Sequence, residues 1–97
     1  MATYVSLVNF TEQGVRNFKD TVDRSEAANQ LAGQLGGSIK EIYWTLGPYD
    51  IVVISEAPDD ETATAFALTL ASQGNVRTTT MRGFGPDEVR GIIAKTG

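Results

Sequence analysis

The stretch "YWTLGPYDIVVISEAPDD", residues 43–60, leaves one strand pattern, turns a corner, runs through an apolar strand and reaches a helix start. Leu46-Gly47-Pro48-Tyr49 make the corner: proline pre-sets φ, and glycine before it avoids the crowding a larger residue would meet. Asp50 to Ala57 are nearly all apolar, as in a strand covered on both sides. Pro58-Asp59-Asp60-Glu61 then open a helix, with an Asp as N-cap and acidic residues where the helix dipole favours them.

Upstream, Ser38 to Thr45 alternate Ile39, Glu41 and Tyr43 with Lys40, Ile42 and Trp44, and these mixed faces suit an edge strand. Thr3 to Phe10 set Tyr4, Ser6, Val8 and Phe10 against Thr3, Val5, Leu7 and Asn9, apolar on both sides and so central. Between these strands the spacing Val15, Phe18, Val22, then Ala28, Leu31 and Leu35, predicts the buried stripe of a helix stopped by Gly36-Gly37. Polar "KDTVDRSE" in its middle predicts a bend or break.

Downstream, Ala63, Phe66, Ala67 and Leu70 form the stripe of a second helix ended by Gly74-Asn75. "VRTTTMRGF" reads as the last strand, and Gly85-Pro86-Asp87-Glu88 open a short final helix with Val89, Ile92 and Ile93.

The order βαββαβα predicts a single α+β domain over residues 1–97. It is a ferredoxin-like βαββαβ sandwich: a four-stranded antiparallel sheet in the order 4-1-3-2, two main helices on one face and a short C-terminal helix. A chain of 97 residues suits one core. One sheet face stays uncovered, so either Val52 and Ile54 or Ile51 and Val53 point away from the helices. Such a patch predicts an interface, most simply a two-fold dimer of facing sheets.

Composition narrows the chemistry. Cysteine and histidine are absent, which removes disulfides, thiolate nucleophiles, Ser-His pairs and the commonest zinc and haem ligands. Net charge is −4 and the eight Lys and Arg are scattered, which argues against nucleic acid as a direct partner. No apolar run approaches a membrane span, and the N-terminus enters a strand without the marks of a signal peptide, so a cytoplasmic location is expected.

Three segments, "YVSLVNFTEQGVRNFKD", "EIYWTLGPYDIVVISEAPDDE" and "GNVRTTTMRGF", together most of the chain, resemble the GYD domain family, small bacterial and archaeal proteins of the dimeric α/β-barrel superfamily. The family's motif stands here as Gly47, Tyr49 and Asp50, with Pro48 inside it. The resemblance implies a ferredoxin-like subunit and sheet-to-sheet dimerisation, but no reaction. The wider superfamily includes haem enzymes, cofactor-free monooxygenases, lactone isomerases and ligand-sensing regulator domains, and fold does not choose among them. The haem branch uses a histidine ligand that this chain lacks.

Each candidate residue has a structural and a functional reading. Asp50 either accepts amides of its own corner or faces a ligand. Tyr43, Trp44 and Tyr49 line either an interface or a pocket, with Tyr43 and Trp44 on opposite sheet faces. Asn9 reads as the cap of the first helix or a donor into a cavity. Arg77 and Arg82 fall on opposite faces of an edge strand, where either clamps a carboxylate ligand or pairs with Asp50 or Glu56. Glu56 itself reads as a strand-end carboxylate or a general base, while Asp59-Asp60-Glu61 are explained by a helix cap rather than by a metal.

The leading expectation is therefore a homodimeric, cofactor-free module that binds a small ligand or regulates. Its rivals are a cofactor-independent isomerase or monooxygenase acting on a small aromatic or enolisable substrate, and a structural subunit of a larger oligomer.

Overall fold

In a computed structural model describing residues 1–97, strand β1 (Ala2–Phe10) lies between β3 (Ile51–Ala57) and β4 (Val76–Gly83), with β2 (Ser38–Trp44) outside β3. All pairings are antiparallel, and the order β2-β3-β1-β4 is the expected 4-1-3-2 read from the other edge. The two strands with apolar residues on both sides occupy the centre, where a sheet has both neighbours to pair and both faces to cover.

The β1–β3 register sets Val8 against Ile51, Tyr4 against Ser55 and Leu7 against Val52. Tyr4, Val8 and Ile51 are only 4 %, 5 % and 6 % exposed and lie under the helices. Alternation then turns Val5, Leu7, Val52 and Ile54 to the uncovered face, so of the two pairs left open by the sequence it is Val52 and Ile54 that point away. At the β2 edge a bulge between Ile39 and Glu41 interrupts the ladder, which blunts that edge as a pairing template.

The first helical segment breaks, and the break has a consequence the spacing does not show. Helix α1 (Glu12–Arg16) ends at Asn17, whose φ of −104° and ψ of 28° leave the helical region. A 3-10 turn, Phe18–Asp20, leads into α2 (Thr21–Gln34). Val15, Phe18 and Val22, expected as a buried stripe, are instead 53 %, 56 % and 53 % exposed. Beyond the break α2 keeps Ala28 and Leu35 of the expected stripe on the sheet side and adds Thr21, Arg24, Ser25 and Ala32 to it.

Helix α3 (Asp60–Ser72) starts as the sequence predicts, with the Asp59 carboxylate accepting the amide of Thr62 at 2.8 Å, and it presents Ala63, Phe66, Ala67 and Leu70 to the sheet. Helix α4 (Pro86–Ala94) is different. It lies off the body of the fold, tied back by an Arg82–Glu88 ion pair of 3.2 Å. Its Ile92 and Ile93 stay 43 % and 60 % exposed. The radius of gyration, 14.5 Å, exceeds the roughly 13 Å of a compact chain this long.

Candidate functional site

The corner between β2 and β3 is built from the backbone upward. Gly47 takes φ +114°, a value that only glycine adopts readily, and Thr45 N–H donates to the Asp50 carbonyl at 2.8 Å to close the loop. The Thr45 hydroxyl donates to the Tyr49 carbonyl at 2.7 Å. Asp50 N–H donates to the Val8 carbonyl, and its Oδ2 accepts the N–H of Phe10, each at 2.8 Å. The carboxylate thus takes an amide of the neighbouring strand rather than one of its own corner. Tyr49 and Asp50 are both half-buried.

The aromatics diverge as alternation requires. Tyr43, opposite Val52, lies on the uncovered face, 57 % exposed, and donates its hydroxyl to Glu41 at 2.6 Å. That bond and the charge of Glu41 hold the Tyr43 phenol above its ordinary value. Trp44, opposite Ile51, lies on the helix side, and its Nε1 donates to Thr21 Oγ1 at 3.0 Å, pinning the start of α2.

Asn9 does not cap the first helix. Thr11 does, its hydroxyl accepting the amide of Gly14 at 3.1 Å. Asn9 instead stands opposite Arg77 across β1–β4, on the uncovered side. Arg82, opposite Tyr4, is on the helix side and at the other end of β4. Five residue steps of strand, about 17 Å, separate the two arginines.

Arg82 pairs with neither Asp50 nor Glu56. It donates to the Gly83 carbonyl, lies 4.5 Å from the Phe84 ring centroid and salt-bridges Glu88. Glu56 pairs with Lys40 at 3.1 Å on the sheet edge. The residues singled out in the sequence therefore divide over three places: the corner with Asn9 and Arg77 at one end, Trp44 beneath α2, and Arg82 at the far end.

Two further groupings are not anticipated from the sequence. Tyr4 donates its hydroxyl to Asp60 Oδ1 at 2.6 Å. The two border an open groove of about 640 Å³ between α3 and β4 that both Arg77 and Arg82 also line. The bond to Asp60, then burial, push the Tyr4 phenol above its ordinary value. The second is a cavity of about 100 Å³ between the sheet, α2 and α3, walled by Val8, Ile51, Val53 and Phe66 with the hydroxyl residues Ser6 and Ser55. Arg24 lines it as well. The signal of the cavity in the sequence is slight: Ser6 and Ser55 stand at inward strand positions among the larger Tyr4, Val8, Ile51 and Val53.

Comparison with known proteins places this geometry. The family model described as the GYD domain matches residues 4–93. A protein of Thermus thermophilus, named glutamine synthetase and cystathionine beta-lyase binding protein, is 35 % identical over 82 residues, covering 84 % of this chain and 86 % of its own. A solved structure of a Thermus thermophilus protein is similar with a TM-score of 0.54, over 88 % of this chain and 95 % of that one, at 24 % identity, and it shows the same fold.

Proposed function

The chain belongs to the GYD domain family, and on that footing we propose that residues 1–97 are one domain serving as a homodimeric binding or regulatory module without a bound cofactor, in the cytoplasm. The observation that carries the reading is the uncovered sheet face. Val5, Leu7, Val52 and Ile54 form its centre, with Met81 45 % exposed and Tyr43 57 % exposed at its flanks. Only 7 of 97 residues are buried in the isolated chain, so the sheet face has burial still to gain. A second sheet laid on this face supplies the missing burial.

Four strands about 4.8 Å apart and about 20 Å long present roughly 400 Å² in projection. A standard interface takes about 800 Å² from each partner. The sheet alone falls short, and α4, with Ile92 and Ile93 uncovered, is the other apolar surface available. The Thermus relative's name records binding to two enzymes; by similarity, the surfaces a dimer leaves free would receive other proteins.

Light scattering on the full chain at micromolar concentration tests the premise. The expected mass is twice 10.4 kDa, and a monomer removes the reading. Co-elution with purified glutamine synthetase or cystathionine β-lyase then tests the protein partner.

The cofactor-independent enzyme has one observation in its favour, the Tyr4–Asp60 pair in the groove beside Arg82. A phenol held above its ordinary value is protonated at neutral pH and serves as a hydrogen-bond donor, not a base. Arg82 is already committed to Glu88. The pair therefore supports an acid or an anchor better than a proton-abstracting site.

A further inference from the structure

Helix α4 and the groove between α3 and β4 are both left open in the single chain. α4 carries Val89, Ile92 and Ile93 at helical spacing on one face, all of them exposed. The groove, about 640 Å³, is walled on the α3 side by Ala63, Ala67, Ala71 and the exposed Leu68. Arg82 and Arg77 mark its two ends on β4, about 17 Å apart. A helix of nine residues is about 13.5 Å long, so α4 has the length of the groove. Small side chains one turn apart along α3 let another helix approach closely, and branched side chains on that helix supply the bulk that alanines lack.

The joint between β4 and α4 bears on whose helix enters. Arg82 donates to the Gly83 carbonyl, lies 4.5 Å from the Phe84 ring centroid and pairs with Glu88, which in turn accepts the amide of Gly85 at 3.2 Å. This joint holds α4 off the body of its own chain, and folding back would break the Arg82–Glu88 pair. The helix of another copy needs no such change. Arg77, whose strand position faces the uncovered side, also borders the groove, so the groove opens round the β4 edge toward the face on which a second sheet is laid. Arg77 is exposed and forms no ion pair, and a cation there favours the carbonyl end of an incoming helix. Area favours a second copy as well. A helix about 13.5 Å long and about 10 Å wide covers roughly 135 Å². Each copy gives one helix and receives one, which adds roughly 270 Å² to its roughly 400 Å² of sheet and brings it near the roughly 800 Å² of a standard interface.

We propose that the α3–β4 groove receives α4 of a second copy, in a reciprocal exchange across a two-fold axis. Val89, Ile92 and Ile93 of each copy are then buried against Leu68 and the alanine row of the other. The proposal rests on the homodimer reading and adds a second seam to the facing sheets.

The chain has no cysteine, so a double variant, Leu68→Cys with Ile92→Cys, carries only the two thiols that report the contact. Oxidation of the full chain at micromolar concentration should join position 68 of one copy to position 92 of the other. Peptide mass spectrometry on a mixture of isotope-labelled and unlabelled chains identifies that link. Leu68→Cys alone and Ile92→Cys alone should cross-link more slowly, since a disulfide needs its two Cα atoms within about 7 Å. Ile92→Asp, at an exposed position of the single chain, leaves the fold intact. It should weaken dimerisation about tenfold or more, because a carboxylate would be buried among apolar side chains. A disulfide within one chain, cross-linking no faster than in the single-cysteine variants, or an Ile92→Asp dimer of parent affinity overturns the proposal. The two readings fail separately. A dimer by light scattering with no disulfide between positions 68 and 92 sinks the exchange alone, and a disulfide that forms equally fast when Ile54→Asp is added sinks the sheet face alone.

Discussion

Asp50 Oδ2 accepts the backbone N–H of Phe10 at 2.8 Å, which fastens the corner of the β2–β3 hairpin to the end of β1, 40 residues away in the chain. Since Asp50 N–H also reaches the Val8 carbonyl, one residue holds β1 on both sides of Asn9. The Asp of the family motif is thus a clamp between strands. Asp50→Ala strands the Phe10 amide and should cost about 1–3 kcal/mol, whereas Asp50→Asn keeps an acceptor and should cost about 1 kcal/mol or less. In a domain of this size each kcal/mol lowers Tm by about 4–8 °C, so thermal unfolding resolves the two. Equal, negligible shifts in both variants would remove the clamp.

Phe18 offers a sharper contrast. Helical spacing makes Phe18 a core residue, where truncation costs about 3–5 kcal/mol; at 56 % exposure, Phe18→Ser should stay within about 0.5 kcal/mol. Urea unfolding at low protein concentration, where the chain is least associated, measures the difference.

That contrast marks the boundary of what the sequence makes legible. The strands, their order and the doubly covered centre follow from alternation in Thr3 to Phe10 and the apolar run after Asp50, because period two is insensitive to distant contacts. Of the first helical segment the second half follows, Ala28 and Leu35 facing the sheet as the spacing expects, while Val15, Phe18 and Val22, on either side of the break at Asn17, are exposed. The site residues fared the same way. Alternation puts Tyr43 and Trp44 on opposite faces, yet it does not show that Arg77 and Arg82 border one groove, and it carries no information on partners such as Tyr4 and Asp60, 56 residues apart. The cavity is less legible still, since a void is a property of two facing elements rather than of either one.

The uncovered face predicts a separable variant. Ile54→Asp puts a charge at its centre without touching the helix side, where Ile51, Val53 and Ser55 pack. A dimer formed there should dissociate, because an unpaired carboxylate would be buried in an apolar interface. The expected result is a halved mass by light scattering with the far-UV circular dichroism signal retained. An unchanged dimer would move the interface to another surface.

Alkaline unfolding should be set partly by Tyr4. Its phenol is raised above 10.0 by the bond to Asp60, then by burial, so the neutral form is favoured in the folded state. The resulting stabilisation is fully present below pH 10, where folded and unfolded chains are both protonated, and is lost as pH rises through the higher folded value. Tyr43, raised by Glu41, acts in the same direction. Asp59 and Glu88 act oppositely. The Thr62 hydroxyl and then its amide hold Asp59 below 3.8, and the Gly85 amide and then Arg82 hold Glu88 below 4.5, so their contribution is complete above those values and fades as pH falls past them. Tyr4→Phe, which loses a charge-assisted bond, should therefore be less stable than the parent near neutral pH. It should also lose less on going from pH 9 to pH 11. Urea midpoints across that range decide the matter: parallel curves for parent and Tyr4→Phe would mean that the Tyr4–Asp60 bond does not govern the alkaline side.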